Sequence, residues 1–299
     1  MNTRHTRLRS ILTGLMLSML TAQDPFVIDT SLSSSLPQSI ANSIEIADVD
    51  NDGYNDIIMS GYDSTRFGLF IDVTKVNSQG GLTSGFSTNF ITYPDTIAEF
   101  SGGLGNVDLS DVNLDGSIDI YLNGSARSEL LMNSSSGYFS ESNWLQNMFV
   151  IHSNGKWGDV NMDGKPDLFL MGVKQPADNI LNELYLNTGT YLDEDPTTIF
   201  PALFTGSSAW GDYDNDGDPD LIIGGQTANP NSSVTRLYQN DPIGRLTEVT
   251  TADAISGIKS GAFHFSDLDS DGDLDLIMSG WDKISGSLVT YLLENEPIK

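Results

Sequence analysis

Residues 212–225 read DYDNDGDPDLIIGG. Aspartates recur at 212, 214, 216, 218 and 220 around Gly217, and the apolar run Leu221-Ile222-Ile223 follows at once. Like charges repel, so the spacing calls either for an ordinary solvated turn or for a positive charge among the acids. Four other stretches repeat it: DVDNDGYNDIIMSG (48–61), DVNLDGSIDIYLNG (111–124), DVNMDGKPDLFLMG (159–172) and DLDSDGDLDLIMSG (267–280). All five obey D-x-[DN]-x-D-G-x-x-D, with a glycine thirteen residues after the first aspartate. The starts at 48, 111, 159, 212 and 267 lie 63, 48, 53 and 55 residues apart.

The flanks repeat as well. An apolar residue stands two places before each loop: Ile46, Leu109, Trp157, Trp210 and Phe265. Each loop runs into a β-favouring triplet, IIM, IYL, LFL, LII or LIM. A second such run then ends in a polar residue, as in LLMN (130–133), LYLN (184–187), LYQN (237–240) and LLEN (292–295), with LFID (69–72) the looser first copy. Each unit reads as strand, acidic loop, strand, turn, strand, loop, strand, with no helical periodicity of useful length. A four-stranded unit of about 50 residues has the size of a propeller blade, and stacking such units buries both faces of each. The expected fold is therefore an all-β propeller of four-stranded blades. A β-sandwich with acidic turns is the alternative, but a sandwich has no need of one loop sequence five times.

The spacing suits a hard divalent cation, which takes six to eight oxygen ligands. Positions 1, 3 and 5 turn alternate side chains inward, glycine at 6 permits the sharp turn, the carbonyl of 7 faces the ion, and position 9 adds a carboxylate. The set fits Ca²⁺ better than Mg²⁺, which keeps several waters. An EF-hand would need Glu at position 12, where this chain has Met59, Leu122, Leu170, Ile223 and Met278. A plain acidic turn explains one copy but not fixed spacing in five. Positions 1, 3, 5 and 9 hold 18 carboxylates, and Asp218 and Asp273 at position 7 bring the total to 20 of the 41 acids.

Composition narrows the rest. A formal charge of −27 over 299 residues excludes a general nucleic-acid binder. There is no cysteine, hence no disulfide or thiolate metal site, and His5, His152 and His264 are too scattered for zinc. Arg4, Arg7 and Arg9 precede the apolar stretch ILTGLMLSMLTA (11–22), so residues 1–22 are expected to be a secretory signal peptide, with an uncleaved anchor as the alternative. Residues 23–299 would form the propeller, secreted or displayed at the cell surface, with no later segment apolar enough to span a membrane.

With their flanks, the five loops resemble FG-GAP/VCBS repeats, the blades of the integrin α-subunit propeller; AWGDYDNDGDPDLIIGG (209–225) and KWGDVNMDGKPDLFLMG (156–172) carry the likeness. It covers residues 24–299 and implies one Ca²⁺ in a hairpin loop of each blade, up to five in all. By position, the side-chain ligands it implies are Asp48, Asp50, Asp52 and Asp56; Asp111, Asn113, Asp115 and Asp119; Asp159, Asn161, Asp163 and Asp167; Asp212, Asp214, Asp216 and Asp220; and Asp267, Asp269, Asp271 and Asp275. Carbonyls would come from Tyr54, Ser117, Lys165, Asp218 and Asp273. Loops four and five should bind most tightly, and loop three, with Asn161 and the Lys165 cation, most weakly. The family's integrin members have seven blades where five repeats are counted here. Either Phe26-Val27-Ile28-Asp29 completes the last blade and closes a five-bladed ring, or the ring is open.

The function implied is an adhesion or ligand-binding module for an extracellular protein or glycan, with calcium structural. A calcium-dependent polysaccharide lyase or hydrolase, or a lectin, on the same fold is the alternative. No nucleophile elbow, HExxH, phosphate loop or Cys/His pair occurs. No catalytic residue is therefore assigned. His152, His264, Lys156, Trp157 and Trp210 are expected to be strand packing rather than chemistry. Asn123, Asn133 and Asn231 each begin a glycosylation sequon.

Overall fold

The computed structural model describes Leu36, residues 40–63, 68–92, 106–123, 128–145, 150–174, 179–229, 232–250, 255 and 257–295. Residues 1–22, expected to be a signal peptide, Phe26–Asp29 and Asn231 lie outside the described residues. From residue 38 onward the chain forms one unit. Its described residues contain no α-helix and fall into five antiparallel sheets. The first holds β1 (Ile40–Ala47), β2 (Asp56–Asp63), β3 (Gly68–Val76) and β4 (Leu82–Thr92). The second holds β5 (Asn106–Ser110), β6 (Asp119–Asn123), β7 (Glu129–Asn133) and β8 (Phe139–Glu141). The third holds β9 (Val150–Gly158), β10 (Asp167–Lys174), β11 (Asn179–Asn187) and β12 (Leu192–Asp195). The fourth holds β13 (Leu203–Gly211), β14 (Asp220–Thr227), β15 (Ser233–Gln239) and β16 (Thr247–Glu248). The fifth has three described strands, β17 (Ile258–Ser266), β18 (Asp275–Asp282) and β19 (Ser287–Leu293).

Strands pair in sequence order within every sheet. Each acidic loop joins a sheet's first strand to its second, as the repeats predict. The first strands of successive sheets approach one another, β1 to β5, β5 to β9, β9 to β13 and β13 to β17. Sheets stacked in this order through their first strands are the blades of a propeller-type fold.

The second strands explain the unbroken apolar triplets. Side chains alternate across a strand, so a half-buried strand should alternate apolar and polar. Yet β6, β10 and β14 are buried on both faces. In β10, Leu168 and Leu170 pack with Tyr121 and Leu130 of the second sheet. Phe169 and Met171 point the other way, onto Leu203, Leu221 and Ile223 of the fourth. Phe200 sits edge-on between Phe169 and Tyr238, with ring centroids 5.0 and 5.2 Å apart. Similar buried clusters join the first sheet to the second and the fourth to the fifth. Burial on this scale is the main stabilising term, at about 25 cal/mol per Å² of apolar surface.

The Asn at or just after the end of the third strand in the second to fifth sheets has a structural role. The Asn133 amide donates to the Val49 carbonyl of the first sheet's loop at 2.7 Å. Asn187 reaches Val112 at 2.8 Å, Asn240 reaches Val160 at 2.7 Å, and Asn295 reaches Tyr213. The second to fifth sheets are thereby each fastened to position 2 of the preceding loop. Two of the three sequon asparagines are buried in the folded chain, Asn133 as a clasp and Asn123 wholly within β6.

Asn187 also donates to the Pro166 carbonyl at 3.1 Å. Asn187→Ala strands two carbonyls and should cost about 1–3 kcal/mol. The urea midpoint should fall with an unchanged slope, and an unshifted midpoint would show the clasp to be dispensable.

Candidate metal centre

Each loop is built by its own backbone hydrogen bonds. In the fourth, the amides of Asp216 and Gly217 donate to the two oxygens of Asp212 at 3.1 and 3.0 Å. The Asp218 amide donates to Asp216 at 3.3 Å. The same pattern holds in the first three loops, at Asp48, Asp111 and Asp159. In the fifth, the Asp271 amide donates to Asp267 at 3.2 Å. Position 6 has φ between +84° and +101° in all five copies. A Cβ there would meet nothing within 4 Å, so backbone conformation rather than space demands glycine.

Position 4 is also left-handed in every loop. Asn51, Leu114, Met162, Asn215 and Ser270 have φ of 58°, 58°, 58°, 60° and 66°. Asn tolerates this region, whereas Leu and Met do so at a cost of about 1–2 kcal/mol. Leu114 and Met162 are moreover exposed, so no core packing holds them there.

Position 9 is more deeply set than its neighbours. Asp220 is fully buried and accepts the Tyr213 amide on Oδ2 at 3.0 Å and the Asn240 amide on Oδ1 at 2.8 Å. Asp56, Asp119, Asp167 and Asp275 make the same two bonds in their own sheets. The residue expected to close a metal site is thus also the tie between loop and third strand.

Several carboxylates converge. Asp48, Asp50 and Asp56 can bring oxygens within 4.8 Å of one another, as can Asp212, Asp214 and Asp220, and Asp267, Asp269 and Asp271. The donors are the all-oxygen kind that hard cations prefer. Unsatisfied groups point the same way. Asp218 is buried with neither carboxylate oxygen hydrogen-bonded, and one buried oxygen each of Asp50 and Asp273 has no partner. Burying an unpaired carboxylate is costly unless a cation or a proton neutralises it. These residues fit a bound metal ion. In the third loop the charge is partly met from within, since Lys165 Nζ lies 2.7 Å from Asp163.

Burial pushes Asp119 and Asp167 up to about 6 and Asp220 up to about 7, against the pull of their backbone donors. Asp273 rises to about 6, through burial and then through Asp271.

The lead-in residues are packing and ties between sheets. Trp157 stands edge-on to Tyr121 at 5.8 Å, and the Trp210 indole donates to the Lys156 carbonyl at 3.2 Å. Lys156 Nζ meets Asp108 of the second sheet at 2.7 Å. His264 is exposed on β17, and His152 falls in β9.

Residues 159–223 and 212–278 match the FG-GAP-like repeat family. Residues 159–278 thus carry FG-GAP-like repeats, within a chain of propeller-type fold. No protein of curated function matches its sequence. Among solved structures, it is similar to an Agrocybe aegerita lectin described as recognising non-reducing terminal N-acetylglucosamine. The identity is 19% and the TM-score 0.49; the match covers 85% of this chain and 66% of the lectin, just under two thirds of its length. It is also similar to an endo-1,4-beta-xylanase from Bacteroides thetaiotaomicron, at 11% identity and TM-score 0.38, over 88% of this chain and 100% of that one. No helix among the described residues is long and apolar enough to cross a membrane.

Two outcomes follow. Met162→Asn relieves a left-handed methionine and should stabilise by about 1 kcal/mol, read as a higher melting temperature; a fall would mean the Met162 side chain contributes. An unfolded aspartate titrates near 3.9, below the raised values of Asp119, Asp167 and Asp220. Between the two values the native chain keeps protons that the unfolded chain has lost, so this contribution is full below about pH 4 and is lost as pH rises toward 7. In EDTA the denaturant midpoint should be higher at pH 4.5 than at pH 7.5. A midpoint that climbs with pH would contradict the burial of these acids.

Proposed function

We propose that the protein is a secreted or surface-displayed adhesion or ligand-binding module, with Ca²⁺ as a structural clasp in its blade loops. The observation that carries this is the recurrence of one strained loop geometry five times, with carboxylates converging in the first, fourth and fifth copies and leaving buried oxygens without partners there. Oxygen-only donors in a site of this ligand count favour calcium, and extracellular calcium modules work at 10⁻⁴–10⁻³ M, roughly. The basic-then-apolar start of the sequence supports export.

The first-to-second loops and the third-to-fourth turns of an antiparallel sheet lie at the same end. Tyr138 and Tyr191 stand exposed in those turns, beside the acidic loops rather than within them. Exposed aromatics on a rigid scaffold suit recognition of a glycan or a protein surface. The ligand would meet that end, while the acids hold the loops in place.

Calcium that binds only the native state stabilises it by about 2.7 kcal/mol per site at a hundredfold excess over Kd. The full chain should therefore melt several degrees higher in millimolar Ca²⁺ than in EDTA. An identical melting temperature in the two would remove the calcium role. A glycan and matrix-protein array should then give binding without turnover, whereas cleavage of an acidic polysaccharide would replace the module with an enzyme.

A further inference from the structure

In two of the sheets, one register position reaches the acids from outside the loop. It directly precedes the residue whose amide donates to position 9, and it holds Lys75, Met132, Leu186, Gln239 and Glu294 in the five sheets. In the fourth sheet, the Gln239 amide donates to Asp214, position 3 of its own loop, at 2.5 Å. In the first sheet, Lys75 Nζ does the equivalent, 3.0 Å from Asp50 Oδ2. Lys75 also donates to the Ser136 carbonyl at 2.9 Å, in the turn that leads to β8 of the second sheet. Both partners in the ion pair are largely covered. Gly137 leaves the room: a Cβ there would stand 2.7 Å from the ammonium.

The geometry points to Lys75 as a built-in counter-ion of the first loop, which makes that loop the last of the five to take calcium. This rests on the calcium role proposed above. An ammonium fixed on Asp50 meets part of the charge that a divalent ion would meet, and it repels any ion that enters. Lys165 acts differently. It pairs with Asp163 only two residues away, both are about one-third exposed, and it can turn to solvent as an ion arrives. Lys75 is held by an acid on one side and by a neighbouring sheet on the other. The first loop therefore falls below the third in the affinity order that loop composition predicts. At the other extreme, the fifth sheet has an acid, Glu294, at the same register position, in addition to the five aspartates of its loop.

The chain supplies its own test substitution, because Gln already occupies this position in the fourth sheet. Calorimetric Ca²⁺ titration of EDTA-stripped full-length protein should show the weakest class of sites tightened about tenfold in Lys75→Gln. The same variant should melt below wild type in EDTA and recover in Ca²⁺. Gln239→Lys should do the reverse, weakening one of the tight sites about tenfold; it also serves should Lys75→Gln fail to fold. If calcium binds and stabilises both proteins but the Lys75→Gln and wild-type isotherms superimpose, Lys75 is only an ion pair and the inference is wrong. If neither protein takes up calcium at millimolar concentration, the calcium role itself fails and takes the inference with it.

Discussion

The carboxylate at position 9 is the constraint on which the rest of the structure depends. Asp220 takes one amide from its own loop and one from the end of the third strand, and it does so while fully buried. Its counterparts in the other four sheets repeat both bonds. A buried ion is tolerable only when hydrogen-bonded, and these bonds hold three strands of a sheet in register around it. The Asn that donates to it, at the end of β7 and β11 and just after β15, also ties the sheet to its neighbour. Asn133, Asn187 and Asn240 give their side-chain amides to the loop of the preceding sheet. Loop, sheet and neighbouring sheet are thus tied through one carboxylate and one carboxamide.

The arrangement has an electrostatic consequence. Carboxylates of positions 1, 3 and 9 converge on one small volume in the first and fourth loops, and those of 1, 3 and 5 in the fifth, and the left-handed residue at position 4 shows that the backbone accepts a cost to hold the loop. Charge of opposite sign offsets the repulsion. The chain provides some itself, with Lys75 in the first loop and Lys165 in the third. The fourth and fifth loops have no such ammonium among the described residues, and there the buried acids Asp218 and Asp273 add to the demand. The first sheet differs in a second way: Val76 occupies the place where the other sheets have the clasping Asn.

Much of this was legible in the sequence. The alternation of acids, the glycine at position 6 and the apolar triplet announced a loop between strands, and their fivefold recurrence announced blades. The unbroken triplets such as Leu168-Phe169-Leu170 reported burial on two faces, which β10 has. The Asn closing LYLN was visible, but its partner Val112 lies 75 residues earlier, beyond any local signal. Leu114 and Met162 give no hint of a left-handed backbone, as Asn51 and Asn215 do. Lys75 was hidden for the same reason as Asn187: it meets the first loop only because β2 and β3 pair in one register, Ile57 opposite Thr74. Spacing identifies the loops; which side chains outside them reach the acids is decided by strand pairing.

The most direct measurement is native mass spectrometry of the full chain across stepped calcium concentrations. Four ions should add first and a fifth only at higher calcium, each as a discrete mass increment, with magnesium failing to displace them. A chain that carries no bound ion in millimolar calcium would contradict the account.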